Sequence, residues 1–329
     1  MSLLGACYAN ARDFNTAVAC EVRALELARK AESPLVAALA LSHLAMAHRC
    51  LGKFSQAEEY LNEASSVYNE VESRDGEAHV LSELAYIDHM SGRLESARDR
   101  LISALRLQRY IGNRGLEADT LRYLADVYVD LGDIGSALSA VKTSLVLAHG
   151  YRDRRVEADA LNVLGRIHLG QGLAGSALEC HSQALNLARE MPAHLPEVVA
   201  LVGLAAAYRD LGFNSKARAN GMSGKRLASR VGYRVHEGQA LVTLATIYML
   251  NGQYDVAIDY ARRAVVVLRS SGARMWEADA LLVLGEATRL KGDQEDGDRI
   301  WEEGYNLHRE LGLLHRIPDC VRNGEAGVL

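Results

Sequence analysis

The sequence predicts an all-α fold, an α-α superhelix of eight helix-turn-helix units with a shortened first unit, and three observations carry that prediction. A glycine recurs every forty residues, at Gly52, Gly92, Gly132, Gly172, Gly212, Gly252 and Gly292. Two columns keep fixed phase with it. Five residues after each glycine stand Ala57, Ala97, Ala137, Ala177, Ala217 and Ala257, with Ala17 one period earlier and Gly297 at the end. Eight residues before each stand Leu44, Leu84, Leu124, Leu164, Leu204, Leu244 and Leu284, with Leu4 in the first unit. Composition is the third observation: 49% of residues are hydrophobic, yet there are only four Pro, three Phe and two Trp. Such a core is aliphatic and helical, and a fixed period of this length marks stacked units rather than one enclosed core.

Unit 1 covers residues 1–32. Met1 stands in the column of Leu41, so the first helix lacks its opening turn, which predicts either excision from a longer protein or a preceding domain. The flank around Leu3, Leu4 and Leu39 would then be uncapped and ready to self-associate. Leu4, Gly5 and Ala6 before Cys7 imitate a lipidation signal, but a leader needs a basic segment and an apolar stretch ahead of the cysteine. Cys7 therefore belongs to a helix. Units 2 to 8 cover 33–72, 73–112, 113–152, 153–192, 193–232, 233–272 and 273–312, giving an array over 1–312 and a tail, read as partly disordered, over 313–329.

Within each unit the leucine pair typified by Leu41 and Leu44, a small residue next, and often Tyr or His further on trace one face of a first helix. Ala97, Leu101, Ala104 and Leu105 typify the second helix. Glycine suits the turn because the residue after a helix often adopts a left-handed conformation. The alanine column marks a close approach of two helices. Glu77, Glu117, Glu157, Glu197, Glu237 and Glu277 open the first helices, where a carboxylate meets the positive dipole end for roughly 0.3–1 kcal/mol. Arg74, Arg114, Arg154, Arg234 and Arg274 precede five of them by three residues and should pair with them. The second helix of unit 6 departs from the pattern. Gly221 and Gly224 take its apolar and alanine positions, each costing roughly 1 kcal/mol against Ala in a helix interior. It carries Lys216, Arg218, Lys225, Arg226 and Arg230 without an acid, which suggests a local weak point with a basic docking patch on Lys225, Arg226 and Arg230.

The formal charge of −5 gives no global field for nucleic acid or an anionic membrane. Cys7, Cys20, Cys50, Cys180 and Cys320 form no CxxC pair, fit a reducing cytoplasm, and offer no metal set with the scattered histidines. No phosphate loop, nucleophile elbow or dinucleotide fingerprint is present, so no catalysis and no cofactor are expected. No apolar run is long enough for a membrane span.

The recurrent Leu-Gly-x-x-Tyr-like core, seen as Leu4, Gly5, Tyr8 and as Leu164, Gly165, His168, resembles the tetratricopeptide repeat (TPR) in its 40-residue subtype. Junctions such as 112–119, 152–159 and 272–279 carry a further resemblance to the C-terminal TPR domain of AfsR-like bacterial transcriptional regulators. That resemblance implies a noncatalytic protein- or peptide-binding groove lined by the first helices, in a regulatory sensor with DNA-binding and nucleotide-hydrolysing domains upstream. The alternatives are a free-standing adaptor that assembles a complex, or a peptide or small-molecule receptor. Carried onto this chain, the groove is apolar or small near its ends, with Met46 and Val242, and polar between, with Tyr86, Arg122, Asp126, Asn162, Arg166 and Arg209, and Asp159 at its edge. Those charges either hold an extended peptide or neutralise one another across adjacent helices.

Overall fold

The computed structural model describes residues 14–191, 194–317 and 321. They form α1 (Phe14–Lys30), then the antiparallel pairs α2 (Pro34–Cys50) with α3 (Phe54–Glu70), α4 (Arg74–Met90) with α5 (Leu94–Ile111), and α6 (Arg114–Asp130) with α7 (Ile134–Tyr151). The pairs continue with α8 (Arg154–Gly170) and α9 (Ala174–Arg189), α10 (Leu195–Asp210) and α11 (Asn214–Val231), α12 (Arg234–Leu250) and α13 (Tyr254–Ser271), and α14 (Arg274–Lys291) and α15 (Gln294–Glu310). A short 3-10 turn, Leu314–Arg316, follows. No strand occurs among the described residues. Each helix packs most closely on its sequence neighbours, and first helices of successive units also touch, the nearest-neighbour stacking of an α-solenoid.

The columns take the places the period assigns them. Ala57, Ala97, Ala137, Ala177, Ala217 and Ala257 are wholly buried. At Gly297 an added Cβ would lie 2.9 Å from the carbonyl oxygen of Gly285, so the last pair tolerates not even a methyl group. Every turn glycine of the series has positive φ, from 72° at Gly52 to 112° at Gly292. The junctions between units use the same left-handed residue, supplied by Gly112, Gly232, Gly272 and Gly312 but by Glu32, Glu72 and Arg152 elsewhere.

Arg74, Arg114 and Arg234 pair with the junction glutamates as the sequence suggests, whereas Arg154 and Arg274 reach instead to Glu190 and Glu310 at the ends of later helices. Glu117 accepts from Arg114 at 2.6 Å and from Arg109, at the end of the preceding helix, at 2.7 Å. Glu277 receives Arg269, and Glu237 receives Arg234 and Ser229, in the same arrangement. Glu117, Glu237 and Glu277 thus clamp the end of one unit to the start of the next.

The superhelix is wound tightly enough for its turns to touch. The Phe14 ring lies 5.7 Å from that of Tyr233, a Cβ at Gly52 would meet Ser271 at 2.6 Å, and one at Gly92 would meet Leu311 at 2.8 Å. These partners are between five and six units apart in sequence. Leu313 and Ile317 are buried, and Trp301 donates from Nε1 to the Val321 carbonyl at 3.0 Å, so the described part of the 313–329 segment is docked against the array. Leu3, Leu4 and Cys7 lie outside the described residues, whereas Leu35, Val36 and Leu39 of α2 are exposed.

Candidate functional site

First helices present the inner face of the superhelix, and its polar centre is a continuous charged network. Arg122 is 6% exposed. It donates to Asp119 Oδ1 from Nε at 3.1 Å and from Nη2 at 2.9 Å, with its guanidinium 3.5 Å above the Tyr123 ring. Asp119 also accepts from Arg155 at 2.8 Å. Burial works against ionisation of Asp119, but Arg122 and Arg155 together hold its carboxyl well below the usual range. One helix further, Arg166 reaches Asp126 at 2.7 Å and Asp130 at 3.2 Å. Tyr86 sits edge-on to Tyr123 with centroids 5.9 Å apart, and Arg49 lies 4.2 Å above its ring while pairing with Glu83 at 2.9 Å.

Asp159 differs from its neighbours. Its hydrogen bond is a long one, 3.4 Å from Arg155, which bonds more closely to Asp119. Burial pushes its carboxyl up to about 6; Arg122 and Arg155 oppose the shift while Asp119 and Asp126 add to it. An acid this poorly compensated is the point in the strip where a cationic group would gain most.

Of the residues expected in the groove, Tyr86, Arg122, Asp126, Asp159 and Arg166 converge in this network. The mutual neutralisation weighed from sequence is present in it, although Arg122 takes its partner from its own helix, Asp119, rather than from the next. Arg209 stands apart, engaged by Asp210 at 2.7 Å. Asn162 is drawn between helices: its Nδ2 donates to the Pro196 carbonyl at 3.0 Å, and its Oδ1 lies 3.0 Å from His181 Nδ1. His181 fills space that Gly165 and Gly203 leave open, and burial pushes its imidazole down to about 4. Asn162 is therefore engaged between helices by Pro196 and His181.

Sequence reasoning did not select Asp119, Tyr123, Arg155, Trp276 or Arg316 for this face. The column signal was available for one of them, since Asp119, Asp159 and Asp279 share one phase of the period. Lys225, Arg226 and Arg230 lie on α11, and none forms an ion pair with a described residue; Arg226 and Arg230 are exposed and Lys225 partly so. Gly221 and Gly224 face α10 and α12, where a Cβ would meet Leu244 at 2.9 Å and Val202 at 3.1 Å. Close packing thus accounts for both glycines. Among the described residues no group of acids, histidines and cysteines is arranged to hold a metal ion, and no helix is long and apolar enough to cross a membrane.

The sequence profile of the MalT-like TPR region matches residues 3–229, and that of the tetratricopeptide repeat matches 238–265. The chain belongs to the MalT-like TPR family. No curated protein matches it by sequence. Among solved structures, this MalT-like chain is similar to a Rap protein complexed with competence and sporulation factor, at 16% identity and TM-score 0.67 over 99% of this chain and 95% of that one. The Rap conjugation gene regulator of plasmid pLS20, in complex with the Phr* peptide, gives 13% and 0.70 over 89% and 79%. A signal transduction ATPase with numerous domains (STAND) and a tetratricopeptide repeat sensor, from Pyrococcus horikoshii, gives 16% and 0.55 over 94% and 52%. At these identities the likeness is one of fold.

Proposed function

We propose that this MalT-like array is a noncatalytic receptor whose inner face binds an extended peptide segment of a partner protein in signal transduction. The observation that carries the reading is the charged strip itself. Arginines and carboxylates are assembled on the inner surface at the middle of the array, and Asp159 is left as an ionisable group short of a partner. A backbone-and-terminus binding mode needs such fixed charges beside apolar contacts of the kind Tyr86 and Met46 supply. The two similar Rap structures, one complexed with competence and sporulation factor and one with the Phr* peptide, support the same reading. A second reading, the regulatory part of a larger transcriptional regulator, draws on the STAND likeness, which spans about half of that longer chain.

Selection of peptides from a displayed random library on the immobilised chain tests the proposal. Selected peptides should lose at least tenfold in affinity when Asp126→Asn and Asp159→Asn are introduced, with helicity by circular dichroism unchanged. Affinity indifferent to both substitutions would overturn it.

A further inference from the structure

Asp130, at the end of α6, is almost fully buried and is approached by four side chains. His89 Nε2 lies 2.6 Å from its Oδ2, and Arg166 donates to it at 3.2 Å. His315 Nε2 reaches its main-chain oxygen at 2.8 Å, and the Arg316 guanidinium bonds to its carboxylate. The last two come from the segment after α15, which crosses from unit 8 to the inner edge of units 3 to 5. Arg316 also donates to Asp279 Oδ2 at 2.9 Å and lies 4.9 Å from the centre of the Trp276 ring. His308 Nε2 stands 3.0 Å from the other oxygen of Asp279 without hydrogen-bonding to it.

Two carboxylates on opposite sides of a narrow space, with an indole face beside them, match a guanidinium: a planar cation with donors on several edges and a face that stacks. A lysine ammonium lacks both the planar fork and the face that stacks on an indole. Asp279 belongs to the same column as Asp119 and Asp159, whose neighbours on this face are also arginines, so the site repeats a motif of the array with an incoming arginine from a distant segment. The Trp276 indole N–H has no acceptor among the described residues, which leaves a donor for a backbone carbonyl accompanying such a side chain.

We infer that Asp130, Asp279 and Trp276 form an arginine-accepting subsite, filled here by Arg316 of the chain itself, and that an arginine-bearing segment of a partner peptide enters by displacing it. The inference rests on the peptide-receptor reading above. Removing Arg316 without replacement leaves Asp279 facing only His308, so an anionic or neutral segment cannot take the place at comparable cost. Displacement also removes the tie between unit 8 and Asp130, which makes ligand entry and loosening of the superhelical turn one event.

The experiment uses the full chain as wild type, Arg316→Ala and Arg316→Lys, with N-acetyl-arginine amide as probe and N-acetyl-citrulline amide as its neutral isostere. Arg316→Ala should bind the arginine amide saturably, with perturbation of the Trp276 indole resonance, and at least tenfold more tightly than wild type. Arg316→Lys, which keeps a cation in the segment, should lie between them, and citrulline amide should bind none of the three. Equal binding by wild type and both variants, or citrulline binding as well as arginine, overturns the subsite. Library peptides whose affinity depends on Asp159 but not on Arg316 would leave the receptor reading standing and remove this inference. Arginine-amide binding by Arg316→Ala without any peptide binding would do the reverse.

Discussion

At the scale of single residues, the array mixes positions that suit their backbone with positions that do not. Glu72 occupies a left-handed junction, φ 54°, that glycine fills at four equivalent sites. A side chain in that conformation costs roughly 1–2 kcal/mol, partly balanced by the entropy glycine loses on folding. Glu72→Gly should therefore raise stability by about 0.5–1 kcal/mol, read as a higher urea midpoint at unchanged slope. Asp159 offers a pH test with a definite sign. Its folded pKa, about 6, lies above the ordinary value, so the native state favours the protonated acid. The associated stability is complete below about pH 4 and is lost as pH rises through 6. Asp159→Asn should then stabilise the protein by about 3 kcal/mol at pH 7 and by almost nothing at pH 4. Asp119 and Asp130, held low by their arginines, act in the opposite sense and weaken the fold as pH falls through the acid range. Much of this strip was legible in the sequence because helical phase groups Tyr86, Arg122, Asp126 and Arg166 and the resemblance to tetratricopeptide arrays implies that their face lines the groove. Asn162 shares that phase, but the histidine it serves is a property of one interhelical gap, and no periodic pattern announces it.

At the scale of elements, the helices and their turns follow from the period because each unit repeats the same local chemistry. The leucine pair fixes the buried face, the glycine ends the first helix, and the alanine sets the closest approach. The second helix of unit 6 is the informative departure. α11 has no side-chain cap at Phe213, carries two glycines, and bears Lys225, Arg226 and Arg230 without an ion pair to a described residue. Its glycines pack closely against α10 and α12, yet their intrinsic cost in a helix remains. We propose that α11 is the array's softest second helix and that Lys225, Arg226 and Arg230 form a docking patch for an acidic partner. Amide exchange over 217–231 should be at least tenfold faster than over α7, whose cap Asp133 accepts from Ser136 N. Protection equal to that of α7 would remove the soft point. Reversing the three cations to Glu should weaken docking of that partner in a salt-dependent manner, and docking unaffected by the change or by salt would return the helix to plain surface.

At the scale of the whole molecule, the sequence announces stacking but not winding. The contact between turns depends on a small rotation added at every unit interface, and no unit carries that sum by itself. This is why Arg316 meets Asp130 across 186 residues without a sequence signal for either. The pairing of Phe14 with Tyr233 is equally non-local, and Phe14→Ala should cost about 3 kcal/mol while also loosening units 6 and 7. Exchange measured over α12 should register that loosening; an effect confined to α1 and α2 would mean that the turns contribute nothing to one another. The same winding bears on how the chain acquires its fold. An open array can nucleate anywhere and grow by neighbours alone, at low contact order. Here the contacts between turns join residues more than half the chain apart, and closing them carries a loop-closure entropy that contacts between neighbouring units do not. Refolding should accordingly show a fast phase that completes the helices and a slower, mutationally separable phase that seals the coil upon itself.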